Sequence, residues 1–180
     1  MRMTGAPVLG PLEWSGDRWT IGDPTARRAQ YLTLDPEGLA AWKGGGRTEV
    51  VPWRRFMELH LPAEPTRLDN SRTLAVLADL ALNLNGFSRF GGGPAGVGAT
   101  LRHPYEYWGA DFSHHARRYS RYSVGLASEL LAQTVASARP ERLGDPAWVR
   151  AVVTALAPLR GGFRGPRART AVAAHLNGSV

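Results

Sequence analysis

Apolar and polar positions alternate with period two in the first third of this chain. They recur with period three to four in the last third. Tyr31-Leu32-Thr33-Leu34 reads as a strand, and Asp35-Pro36-Glu37-Gly38 reads as a turn. Pro36 presets φ, and Gly38 is expected to supply a positive φ on leaving the turn. Leu39 to Trp42 returns as a second strand. Lys43-Gly44-Gly45-Gly46-Arg47 forms another turn, and Thr48 to Val51 a third strand. Pro52 lacks a backbone donor and belongs at an edge, a bulge or a bend. Met57-Glu58-Leu59-His60-Leu61 alternates as a half-buried strand does, which makes residues 31–61 a four-stranded antiparallel meander. Leu12-Glu13-Trp14 and Trp19-Thr20-Ile21, split by Ser15-Gly16-Asp17, predict a small hairpin that extends it.

Helical periodicity then takes over. Asp69, Asn70 and Ser71 offer capping oxygens, and Leu74, Leu77, Ala78, Ala81 and Leu84 follow at helical spacing. Residues 69–85 therefore read as a largely buried helix, and 86–100 as a glycine-rich loop with a strand beginning near Val97. Phe112, Ala116, Tyr119, Ser123, Leu126, Leu130 and Thr134 form a stripe. It predicts a long helix opened by Asp111 or Ser113, with His114, Arg118 and Arg121 sharing another face. Asp145-Pro146 is a clean start for a second helix, whose apolar face is Trp148, Val149, Val152, Val153, Leu156 and Leu159. The two helices are expected to pair as a hairpin over 111–159. Residues 1–11 read as a flexible leader. Residues 160–180 read as a flexible basic tail in which Thr170 to Leu176 can form a short helix. The fold class is thus α+β: one domain over 12–159, with a β-rich part at 12–61.

The strand, the Asp35-Pro36-Glu37-Gly38-Leu39 turn, the glycine turn and the segment Thr48 to Leu59 together resemble the front half of bacterial pleckstrin-homology-like domains. In that family a proline–tryptophan pair precedes a bend into the next strand, and Pro52-Trp53 matches it. The resemblance covers about residues 31–61. It implies a curved antiparallel sheet or partial barrel closed by a C-terminal helix, in domains that mostly bind proteins, peptides or lipids. After Leu61 the chain departs from the pattern, because helix is predicted where further strands would follow.

Composition narrows the function. With 43% hydrophobic residues and six Trp in 180 residues, a sizeable core is available. The absence of cysteine excludes disulfides, thiolate metal sites and a thiol nucleophile. No apolar run is long enough for a membrane span or a signal peptide, so a cytoplasmic protein is expected. The net charge of +7 comes from 21 Arg and one Lys. With abundant Ala, Gly and Pro, this matches an actinobacterial type of composition better than selection for phosphate contacts. Arg160, Arg164, Arg167 and Arg169 lie in the tail with no acid, which leaves residues 1–159 only mildly basic.

Three constellations bear on chemistry. Gly91-Gly92-Gly93-Pro94-Ala95-Gly96 satisfies G-x-G-x-x-G formally, but Pro94 and Gly98 block the helix a dinucleotide site needs. His103, Asp111, His114 and His115 lie close in sequence without metal-ligand spacing, and no activated serine motif is present, so no cofactor or metal is expected. His103 to Trp108 is the densest aromatic cluster. Its choices are a core corner or a contact surface, with Tyr105, Tyr107 and Trp108 as anchors. Paired with the basic face of His114, Arg118 and Arg121, it predicts a non-enzymatic adaptor module that recognises a protein. An immunity or accessory protein for a neighbouring gene product fits the same physics. The alternative is a nucleic-acid-associated protein that uses the Arg-rich tail and the Arg117–Arg121 face. Peripheral lipid contact is not expected, since only Lys43 and Arg47 flank the glycine turn.

Overall fold

The computed structural model describes residues 7–61, 96–117, 119–161 and 165–177. The chain is α+β: a six-stranded and a three-stranded antiparallel sheet are packed with three C-terminal helices. Strands β1 (Val8–Leu9), β2 (Leu12–Trp14), β3 (Trp19–Ile21), β4 (Gln30–Asp35), β5 (Gly38–Lys43) and β6 (Gly46–Pro52) lie side by side in chain order, as a meander. The expected hairpin at Leu12–Ile21 does extend this sheet, through Ile21 opposite Leu32. Residues 8–11 are not a flexible leader. Leu9 is fully buried, and the Gly10 amide donates to Ser123 Oγ at 2.6 Å.

Turn chemistry explains the hairpins, with one correction. Gly44 (φ 59°) and Gly45 (φ 85°) make a two-residue turn that needs positive φ at both positions, which suits the twist of the flanking strands. Gly38 is required for a different reason from the one expected. It lacks positive φ, but a Cβ there would lie 2.1 Å from the Val51 carbonyl oxygen of the neighbouring strand.

The predicted fourth strand leaves this sheet. After Pro52 the chain makes a 3-10 turn (Trp53–Arg55), and β7 (Phe56–His60) pairs instead with β8 (Gly96–Leu101), which pairs with β9 (Glu106–Asp111). Proline removes the donor that would continue the ladder, and the buried Trp53 pins the bend. The Trp53 indole N–H donates to the Asp35 carbonyl at 2.8 Å. The predicted helix over 69–85 and residues 86–95 of the predicted loop lie outside the described residues. Residues 96–100 belong to β8 and are not loop.

The helical layer also differs from expectation. Residues 106–111 are a strand, and helix begins only at α1 (Arg121–Ala136), capped by Ser120 Oγ, which accepts from the Ser123 amide at 3.0 Å. Ser113 is committed elsewhere. Its amide donates to Gln30 O (2.7 Å), its carbonyl accepts from the Asp23 amide (2.9 Å), and its hydroxyl accepts from the Gln30 amide (3.0 Å). Those bonds consume the groups that a helix start would use. From Leu126 onward the predicted stripe holds: Leu126, Leu130 and Thr134 are buried. Ser128 ties α1 to the end of β7, accepting from the Leu61 amide and donating to its carbonyl.

Helix α2 (Pro146–Leu156) is as predicted, with Asp145 Oδ1 accepting from the amides of Ala147 and Trp148, and Val149, Val152, Val153 and Leu156 buried. It does not form a simple hairpin with α1. The two join mainly through an intervening 3-10 turn (Pro140–Gly144) and through helix α3 (Gly165–Asn177). Helix α3 occupies Gly165–Asn177 of the segment expected to be a flexible tail, and extends beyond the short helix foreseen at Thr170 to Leu176. Ala168 and Val172 are buried, and Gln133 Nε2 on α1 donates to the Arg169 carbonyl at 2.9 Å.

Gly144 should be intolerant of a side chain. A Cβ there would meet Asp35 O at 2.6 Å, Trp53 Nε1 at 2.7 Å and Pro36 Cα at 2.8 Å. Gly144→Ala is expected to destabilise by about 1–3 kcal/mol through overpacking. Denaturant unfolding checks this, and an unchanged midpoint would contradict the packing described.

Candidate functional site

The aromatic cluster at 103–108 is divided by strand alternation. On β9, successive side chains point to opposite faces of the three-stranded sheet. Trp108 lies opposite Ala99 and faces inward, 8% exposed, with its ring edge-on to Phe56 at 6.3 Å. Its indole N–H donates to Glu49 Oε2 on β6 at 2.9 Å. Trp108 therefore belongs to the core, which removes it from the set of surface anchors. Tyr107 lies opposite Thr100 and faces outward, 49% exposed. Tyr105, in the turn before β9, is 73% exposed.

A third residue joins these two. Met57 is 41% exposed and sits at the irregularity where the β7–β8 register shifts between Phe56 and Glu58. Such a shift sets two residues of one strand against one of its partner. Met57 and Glu58 both emerge beside Thr100, whose other neighbour is Tyr107. Among the described residues, Met57, Tyr105 and Tyr107 are the large hydrophobic side chains that stay exposed, and the register places them at one end of the same sheet. Side-chain bonds connect the strands around them. Arg55 pairs with Glu106 at 2.6 Å and donates to Arg102 O at 3.2 Å, while Thr100 Oγ1 donates to Glu58 Oε2 at 3.2 Å. The tyrosines were legible in the sequence. Met57 was not, because a register shift leaves no local signal.

His114 and Arg121 do not share a helix face. His114 precedes the helix, half-buried with its ring 5.9 Å from Phe112. Arg118 lies outside the described residues, and Arg121 is exposed at the first position of α1. The adjacent residues build a different arrangement. Glu13 on β2 holds His115 Nε2 with one carboxylate oxygen and the Arg117 guanidinium with the other, and the Tyr119 hydroxyl meets His115 Nδ1. A carboxylate–imidazole–phenol chain of this kind resembles an acid/base relay. Here, however, both imidazole nitrogens and both Glu13 oxygens are engaged within the cluster, and His115 is largely buried. The chain of bonds ties His115, Arg117 and Tyr119 to the hairpin at Leu12–Ile21. His103 is engaged elsewhere, with its ring 6.0 Å from that of Tyr105. Among the described residues, no group of three or more His, Asp or Glu is placed to hold a metal ion.

Asp111, proposed from the sequence as a helix cap, ends β9 instead. Burial pushes its carboxyl above the ordinary range, against the opposing pull of Lys43. On the next strand but one, His60 lies over Gly98, where a Cβ would come within 2.8 Å of its Nε2.

Comparison with family models, with curated proteins and with solved structures finds no match for this chain.

Two expectations follow from this geometry. Trp108→Ala should cost about 3–5 kcal/mol by opening the core, whereas Tyr105→Ala should stay within about 0.5 kcal/mol of the parent. Thermal denaturation of both variants checks the division, and equal losses would refute it. Separately, burial holds the His60 imidazole below its ordinary pKa, with Glu58 acting in the opposite direction. As pH falls below about 6.5, the unfolded chain protonates first. Stability present above that pH is then lost as pH falls through the folded-state value. His60→Gln should flatten the stability profile between about pH 7 and pH 5; superimposable profiles would rule out the assignment.

Proposed function

We propose that this chain is a non-enzymatic protein-binding module whose contact surface is centred on Tyr105, Tyr107 and Met57. The observation that carries the reading is the exposure of these three large side chains together on a sheet end braced by Arg55–Glu106. Tyr side chains supply rigid, amphipathic contact area at small entropic cost, and a fixed strand frame lowers the ordering penalty further. The cytoplasmic adaptor, immunity or accessory roles read from the sequence all use such a surface. The turn out of the meander at Pro52-Trp53 is in keeping with a pleckstrin-homology-like module, a class of binding domains. The nucleic-acid alternative is less well served. Of the arginines after position 159, Arg160 donates to carbonyls of its own chain, Arg169 faces Glu129 at 3.7 Å, Arg167 is exposed on α3, and Arg164 lies outside the described residues.

The test uses full-length chain and a Tyr105→Ala/Tyr107→Ala double variant, each immobilised and exposed to host lysate at low and high salt. A stoichiometric protein retained by the parent at high salt, and lost from the variant at unchanged melting temperature, is expected. Retention by the variant would overturn the reading, as would a bound fraction consisting of nucleic acid that washes off with salt.

A further inference from the structure

A second surface lies on the six-stranded sheet. Helix α2 carries two stripes: Val149, Val152, Val153 and Leu156 face the core, while Ala147, Arg150, Ala151 and Thr154 recur three and four positions apart on the exposed side. That exposed stripe meets Trp14 of β2. Together with Pro146 they line an open groove of about 570 Å3, mostly apolar. Trp14 is held in place edge-on to the buried Trp19 at 5.7 Å, and the Trp19 indole N–H donates to Pro146 O at 3.1 Å. The groove wall is therefore fixed by the core.

Arg150 sets the chemistry. Its guanidinium lies over the Trp14 ring at 4.5 Å, and among the described residues no carboxylate pairs with it. Arg18, Arg47, Arg55, Arg117 and Arg169 each face an acid, whereas Arg150, like Arg142 over Trp148 at 5.8 Å, has an aromatic ring as its partner. The two acids nearest to the groove in sequence are already committed. Asp145 caps α2 through the amides of Ala147 and Trp148, and Glu13, on the opposite face of β2 from Trp14, holds His115 and Arg117. The groove thus combines a fixed indole, a floor of small apolar side chains and an unneutralised cation whose planar donors suit a carboxylate.

The geometry points to a peptide-docking groove. It takes a segment that sets an Asp or Glu side chain on Arg150 and an adjacent apolar side chain against Trp14, Ala147 and Ala151. The open shape favours a segment of a larger polypeptide over a small free acid, which would leave much of its surface in water. The groove borders β2 and α2, whereas the tyrosine surface belongs to the three-stranded sheet, so the two stand independently.

The test is a selection of random heptapeptides displayed on phage against the full-length chain, counter-selected on Arg150→Gln. Both Arg150 and Ala151 are exposed, so Arg150→Gln and Ala151→Glu should fold as the parent does. The expected result is enrichment of sequences with an acid beside an apolar residue. Their affinity should fall at least about tenfold in Arg150→Gln, the scale of one charge-assisted hydrogen bond. It should also fall in Ala151→Glu, where a second carboxylate repels the ligand. Three results would each overturn the proposal: no enrichment over the counter-selected variant, selected sequences without acids, or affinity undiminished in both variants.

Discussion

The close approach of Gly144 to the Asp35 carbonyl and the Trp53 indole is the contact on which the rest of the architecture depends. Three parts of the chain converge there. Asp35 ends β4 at the tight β4–β5 turn, Trp53 opens the bend out of the meander, and Gly144 ends the 3-10 turn before α2. Trp53 buries its ring yet must satisfy its N–H, and the Asp35 carbonyl at 2.8 Å does this from within the same sheet. Only a residue without a side chain fits on the other side. The helical layer is thereby set against the turn that starts the second sheet, and β7 is aimed away from β6.

Once β7 leaves the first sheet, its partners decide which aromatic residues are core and which are surface. The register Leu59–Ala99–Trp108 faces inward, and Thr100–Tyr107 faces outward. A slip of one position would exchange the faces of Trp108 and Tyr107. The Glu49 carboxylate helps hold the observed register by accepting the Trp108 N–H from the other sheet. The proposed contact surface is therefore in part a consequence of core packing: Tyr107 is exposed because the tryptophan beside it is buried.

The charge of +7 does not gather into one basic face among the described residues. Several arginines are bound into local structure, against acids as at Arg55–Glu106 and Arg117–Glu13, or against carbonyls as at Arg160. Exposed ion pairs of this kind contribute little to stability, but they remove cations from the pool available to a ligand. Arg150, like Arg142, has an aromatic face as its partner, which leaves its donors open to an acceptor.

Local chemistry sufficed for parts of the fold. The Asp145-Pro146 start and core stripe of α2, the glycine turn at 44–45 and the hairpin at 12–21 follow from neighbours within a few residues, and the sequence alone determined them. It also determined the α+β class and marked Tyr105 and Tyr107 as candidate contacts. Only tertiary structure decided the rest. Ser113 is non-helical because Gln30 and Asp23, more than eighty residues earlier, take its backbone groups. Residues Gly165–Asn177 are a helix because Val172 finds a core to enter, although the segment itself has little apolar surface. Met57 is exposed by a register shift, and Glu13 is kept from Arg150 by His115 and Arg117, more than a hundred residues further along the chain than Glu13. In each case the deciding partner lies far away along the chain, and periodicity within a window of residues carries no record of it.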